Sequence, residues 1–409
     1  MADPIFTASA GYYTVSWPDE QIFMRLDRLS EGRGFVHAEI RIQDTASEEP
    51  RHLHHARLNL LSTTARKELS KQMLERINTY DWWEMVEAAT LLTLDHYRAG
   101  EPMHELLTSD STSPVEYLIY PIIPANQTTI IFGDGGMGKS QMAELLALCI
   151  LTGWADNPFG LGVKGICGNV LWLDWETDRN TVLWILKRLQ VGMGRDHCSL
   201  HYKRMYRPLS QELPEVQELM LNIKPSLLVL DSIGPAIATD VNTADSASQL
   251  IGRDIRSLNT TTLCIAHTSK GEGGKKTVIG SVLFQNLARS VWELRKSQET
   301  GAQRLQVGLF CKKANISQLY HPIGLDFAFE GDEAIMVDRT EIEDVPDLAQ
   351  SLPIHEQIKF MLKHQSLTVK EISEGLEITE THARKELNRF KNRFFRLPDG
   401  EWGLLSHET

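Results

Sequence analysis

The stretch Gly133-Asp134-Gly135-Gly136-Met137-Gly138-Lys139-Ser140 restricts what this chain can become more than any other. Glycine, four residues, then Gly-Lys-Ser is the P-loop spacing. Glycines let a backbone curl until its N–H groups converge on one anion, and a helix that starts there turns its positive end to the same point. Lys139 is placed to reach the β and γ phosphates of a nucleotide, and Ser140 to hold Mg²⁺. The flanks agree. Residues 128–132 form an apolar, strand-like run, and "QMAELLALCILTGW" from Gln141 has helical spacing. An ordinary glycine-rich turn requires neither flank. The expected ligands are therefore ATP and Mg²⁺. The expected nucleotide-binding residues are Gly133, Asp134, Gly135, Gly136, Met137, Gly138, Lys139, Ser140 and Gln141.

Strand and helix patterns alternate over residues 113–345, the pattern of a parallel α/β sheet. Three apolar runs, "NVLWLDWE", "SLLVLD" and "TTLCIAH", end in polar residues. Those ends belong at the carboxyl edge of the sheet, where the P-loop also lies and where such sheets bind ligands. Asp231 closes the second run and stands in the Walker B position, a second Mg²⁺ ligand beside Ser140. Ser232 follows it, not a glutamate, so the group that activates water must come from elsewhere. Glu176 is the best candidate base. Asp174, two residues earlier, is the alternative, and either acid could instead serve a helix N-terminus. His267 closes the third run, where a polar group can touch the γ-phosphate, or be a buried histidine bonded to backbone.

At 409 residues the chain is long enough for two or three domains. Residues 1–112 read as a small α+β domain, with strands in "YYTVSW" and "GFVHAEIRI" and helices in "TARKELSKQMLERI" and "WWEMVEAATLLTLDHYRA". His52, His54 and His55 cluster there without a carboxylate or cysteine at ligand-like spacing, so they read as solvated strand residues. Residues 350–409 read as three short helices and a hairpin. Thr368 and Glu371 form a capping box, and Pro-Asp-Gly turns the hairpin. The expected architecture is a winged helix-turn-helix. The run 382–397 holds six Lys or Arg and one acid in a chain of net charge −12. A basic third helix suits duplex DNA, with Arg384, Lys385 and Arg389 its first candidates. A protein-docking winged helix is the other option. The five cysteines are scattered with no CxxC pair, which fits a reducing compartment. No stretch of about 20 apolar residues occurs, and the N-terminus lacks the pattern of a secretory signal. The expectation is a cytoplasmic protein without a membrane partner.

Taken together, "GDGGMGKS", "VLWLDWE", "SLLVLD", "HTSK" and "GSVLFQNLARSVWEL" resemble the RecA-like ATPase core over roughly residues 115–330. They are most similar to RepA-type hexameric helicases of plasmids and to related ATPases of phages and mobile elements. The glutamate on its own strand points to the RecA branch. The resemblance implies a homo-oligomeric ring, a hexamer, with single-stranded DNA in its channel. It implies that "SIGPAIATDVNTADS" and "TSKGEGGKKTVIGS" face that channel, with Lys270, Lys275 and Lys276 contacting DNA. It also implies a cation supplied in trans, for which Arg289 is the choice. Lys312 and Lys313 lie where DnaB-type relatives carry Lys-x-Arg, but Ala314 takes the arginine's place. Two functions remain open: a DNA helicase or translocase, and an ATP-dependent DNA-binding switch that does not unwind.

Overall fold

A computed structural model describes residues 3–9, 12–99, 105, 107, 114–269, 277–315, 317–363 and 365–405. The chain divides into two compact units. One comprises Met1–Glu116, Met205–Pro225 and Pro235–Thr260; the other comprises Tyr117–Arg204, Ser226–Gly234 and Thr261–Thr409.

The first unit opens with five antiparallel strands in sequential order: β1 (Ile5–Ser9), β2 (Tyr12–Trp17), β3 (Ile22–Gly32), β4 (Phe35–Asp44) and β5 (Arg51–Asn59). Along β2 and β4 every second residue is buried, as expected when one face of a sheet meets a core and the other meets water. Helices α1 (Thr63–Arg76) and α2 (Trp82–Ala99) follow. Ser62 starts α1 by accepting from the N–H of Ala65. Met73, Met85, Val86 and Ala89 join the buried strand residues in one apolar cluster.

The second unit begins with β6 (Tyr117–Tyr120) and β7 (Ile123–Pro124), then β8 (Thr128–Gly133), the P-loop and α3 (Lys139–Leu151). A short strand β9 (Gly162–Val163) pairs with β6. Next come β10 (Val170–Asp174), α4 (Arg179–Gly192) and β11 (His201–Arg204). Helix α5 (Leu209–Ile223), of the first unit, precedes β12 (Leu227–Asp231). Then α6 (Ala244–Ala247), also of the first unit, leads to β13 (Thr262–His267), α7 (Val282–Leu287) and β14 (Ser290–Ser297). The strands β15 (Arg304–Ala314), β16 (Ile323–Glu330) and β17 (Ala334–Thr340) complete a nine-stranded sheet of order β11-β10-β12-β13-β8-β14-β15-β16-β17.

From β11 to β14 the neighbours are parallel; from β14 to β17 they are antiparallel. The expected parallel sheet is thus one part of a mixed one. Every residue of β10 and β12 is buried, which is why these strands read as continuous apolar runs rather than alternating ones. Helix α3 is buried on nearly all sides, from Met142 to Leu151. The run "ADSASQLIGRDIRSL", expected as one α-helix, is α-helical only over Ala244–Ala247 and then π-helical over Ser248–Ile255. Its buried residues are Leu250, Ile251, Asp254 and Ile255.

Residues 354–404 hold α9 (Ile354–Leu362), α10 (Val369–Gly375), α11 (Glu380–Arg389) and the antiparallel pair β18 (Phe394–Arg396) and β19 (Trp402–Leu404), after a short helix α8 (Pro346–Ala349). Both halves of the Thr368–Glu371 capping box are formed. Ile358, Ile372, Leu387 and Phe394 centre a small core of their own.

Candidate nucleotide site

Sheet register brings the polar strand ends together. Asp174 pairs across from Asp231, Asp231 from Ile265, and His267 from Gly133. A cavity of about 450 Å³ opens at this edge, lined by the P-loop from Gly136 to Gln141 together with Glu176, Asp231 and His267. Ile185, Leu305 and Phe329 add an apolar wall. None of these three carries a motif; only folding brings them to the P-loop.

The loop's glycines have separate reasons. Gly136 and Gly138 take φ of +67° and +84°, a region costly for residues with a Cβ. Gly133 is fixed by packing, since a Cβ there would stand 2.6 Å from the carbonyl oxygen of Leu294. Lys139 Nζ donates to the carbonyl oxygens of Gly133 at 3.0 Å and Asp134 at 2.8 Å, and lies 3.5 Å from His267 Nδ1. Burial pulls its pKa below the ordinary lysine value, opposed by Glu176, Asp231 and Asp134. Thr268, not singled out from sequence, donates its hydroxyl to the Asp134 carboxylate and ties the end of β13 to the loop.

Ser140 Oγ donates to Asp231 Oδ2 at 2.9 Å. Asp231 is 1% exposed, and its Oδ1 has no partner among the described residues. Burial pushes its pKa up to about 7; Ser140 and Lys139 oppose this, while Glu176 and Asp174 add to it. A hydroxyl and a buried carboxylate with one unpartnered oxygen form an oxygen donor set suited to a hard cation. Ser140 and Asp231 therefore fit Mg²⁺.

Glu176 and Asp174, the two candidate bases, differ in their surroundings. Asp174 is fully buried and accepts from five donors: the N–H groups of Glu176 and Thr177, the hydroxyls of Thr177 and Tyr202, and Arg204. Both of its oxygens are taken up by these donors. Glu176 faces the cavity. Its Oε1 accepts from Ser232 Oγ and lies 3.3 Å from His267 Nε2, while Oε2 has no partner among the described residues. Ser232 thus touches the candidate base directly, a contact the sequence hides because serine after a strand-end aspartate carries no signal.

Arg289 lies away from this cluster. Its N–H bonds to Thr128 O at the start of β8, whereas the P-loop follows the end of β8, five residues or roughly 16 Å further along. Its side chain is exposed, with no ion pair among the described residues. The alternative cations are engaged. Lys312 lies 2.8 Å from the buried Glu293 carboxylate, which also takes Arg295. Lys313 Nζ donates to the carbonyls of Gln285, Asn286 and Ala288 at the end of α7.

On α11, Arg384, Lys385 and Arg389 are exposed, while Ala383, Glu386 and Leu387 face inward. Arg384 pairs with Glu380 and Arg389 with Glu386. Lys270, Lys275 and Lys276 lie outside the described residues. Among the described residues no helix is long and apolar enough to cross a membrane, and no cluster of three or more His, Cys, Asp or Glu could hold a metal ion.

A family model described as an AAA domain matches residues 98–273. Among solved structures, a KaiC-like protein from the hyperthermophilic archaeon Pyrococcus horikoshii OT3 is similar at 15% identity, over 55% of this chain and 99% of that one, with a TM-score of 0.38. The flagellar accessory protein FlaH from Methanocaldococcus jannaschii is similar at 19% identity, over 53% of this chain and 91% of that one, with a TM-score of 0.35. No curated protein matches. The matched residues include the P-loop after β8 and Asp231 on β12, both at the carboxyl edge of a large parallel-rich sheet.

Proposed function

We propose that the chain is an ATP-driven DNA motor: a RepA-type ring helicase or translocase that serves replication of a plasmid, phage or other mobile element. The observation that carries the ATP chemistry is the Glu176 carboxylate at the mouth of the P-loop, one oxygen held by Ser232 and His267 and the other open. Lys139 exchanges two loop carbonyls for the phosphates. Ser140 and Asp231 would hold Mg²⁺, whose charge would offset that of the phosphate oxygens. Glu176 takes the proton of the attacking water. His267, bridging Glu176 and Lys139, registers whether the γ-phosphate is there.

Arg289 supports assembly into a ring. It is exposed, without a counter-ion among the described residues, and at the opposite end of β8 from its own P-loop. It can serve a phosphate only in a neighbouring copy. Support for DNA comes from the exposed cations of α11, read as the recognition helix of a winged helix over residues 350–409. Lys270, Lys275 and Lys276 are assigned to a single strand inside the ring.

A second reading, an ATP-dependent DNA switch, is favoured by the segment after β12. Its residues 235–260 group with the first unit. Asp240 O accepts from Thr243 and Ser246, and Thr239 Oγ1 lies 2.7 Å from Ser246 Oγ. A segment held in a compact turn by its own hydrogen bonds is less suited to tracking a moving strand. Strand displacement on a forked duplex, with and without ATP, separates the readings. ATP-dependent unwinding supports the motor. DNA-stimulated hydrolysis without unwinding supports the switch.

A further inference from the structure

We propose that Tyr202 and Arg204 are positioning residues for Glu176, acting through Asp174; the inference rests on Glu176 being the base. Glu176 belongs to a turn, not to a strand, so something must fix where its carboxylate lies. Asp174 does so from the strand end. Its Oδ1 accepts from the N–H of Glu176 at 2.8 Å and of Thr177 at 2.9 Å, and its Oδ2 from Thr177 Oγ1 at 2.8 Å. An aspartate that bonds backbone two and three residues ahead sets the path of its turn.

A buried carboxylate holds such a geometry only when its own position is fixed. Tyr202 and Arg204 provide that from the neighbouring strand. Parallel register sets Arg204 beside Asp174 and Tyr202 beside Trp172, and residues two apart on a strand share a face. Tyr202 Oη donates to Oδ2 at 2.7 Å and Arg204 Nη1 to Oδ1 at 3.3 Å. Arg204 also donates to the carbonyl of Thr177, gripping the far side of the same turn. Burial and the bond to Asp174 both raise the Tyr202 pKa, so the phenol stays a donor. Neither side chain lines the nucleotide cavity. Their effect should therefore appear in turnover and not in nucleotide binding.

The test uses the full chain and the variants Tyr202→Phe, Arg204→Gln, Arg204→Lys, Asp174→Asn and Glu176→Gln. ATPase kcat is measured alongside the Kd of a fluorescent ADP analogue. Tyr202→Phe and Arg204→Gln are expected to lower kcat about tenfold or more through a misplaced base, while ADP affinity stays within about twofold. Arg204→Lys should recover part of the loss. Adding Tyr202→Phe to Asp174→Asn should cost nothing further, because both act on one contact. Wild-type turnover in Tyr202→Phe and Arg204→Gln, with Glu176→Gln inactive, overturns the positioning role and leaves the base in place. An active Glu176→Gln instead removes the base assignment itself. Equal losses of kcat and ADP affinity also overturn the proposal, since they mean the site has come apart.

Discussion

His267 Nε2 lies 3.3 Å from Glu176 Oε1, and His267 Nδ1 lies 3.5 Å from Lys139 Nζ. One imidazole thus connects the candidate base to the phosphate-binding lysine. Any movement of Lys139 toward a phosphate removes a neighbour of the ring that touches Glu176, so ligand and base cannot be independent.

Glu176→Gln should retain ATP binding and cut turnover about 10²-fold or more, the size expected for losing a general base. Steady-state phosphate release and equilibrium ATP binding measure the two quantities separately. A variant that turns over at the wild-type rate places the base elsewhere.

Lys139→Ala should lose both nucleotide affinity and hydrolysis, because the phosphates lose their main counter-charge. Arg289→Ala should bind ATP normally and hydrolyse it poorly. Mixing the two should restore part of the activity, since a junction between them can combine an intact P-loop with an intact arginine. A mixture no more active than its components argues against a shared site.

Lys313→Ala separates the finger candidates by stability. Lys313 holds three carbonyls at the end of α7, so its loss should cost about 1–2 kcal/mol and lower Tm by calorimetry. Arg289→Ala breaks no side-chain bond among the described residues and should leave Tm unchanged. The reverse order would exchange their roles.

Glu144, on α3, is 1% exposed, and its Oε2 has no hydrogen-bond partner among the described residues. Burial first, then Asp231 and Asp174, holds its pKa well above the ordinary glutamate value. The folded state therefore binds a proton that the unfolded chain has released, and the protein loses stability as pH rises above the unfolded pKa near 4.5. Glu144→Gln removes that loss. Its Tm should exceed wild type at pH 8 and approach it at pH 5. A Tm difference that does not change with pH would show that Glu144 is ionised in the fold.

Neutralising Arg384, Lys385 and Arg389 together should weaken duplex binding by the full chain and flatten its salt dependence as phosphate contacts disappear. Basal ATPase should be unchanged. Unaltered duplex binding would make α11 a protein-docking face.

The P-loop, the helix behind it, the strand-end residues Asp174, Asp231 and His267, and the Thr368–Glu371 cap are legible from the order of residues alone. These depend on local spacing, and a glycine pattern or a capping box acts through neighbours a few residues away. That order favours Glu176 over Asp174 as the candidate base only by position, since the two acids are two residues apart and chemically alike. What folding adds is a difference in surroundings: donors from β11 enclose Asp174, while Glu176 keeps an oxygen without a partner among the described residues. The same holds for Ser232 on Glu176, for Lys313 on α7, and for the grouping of 205–225 and 235–260 with the first unit. It holds also for the antiparallel part of the sheet and the π-helical turn over Ser248–Ile255. Each of these depends on which distant segment packs alongside, and a side chain's own sequence neighbourhood does not carry that information.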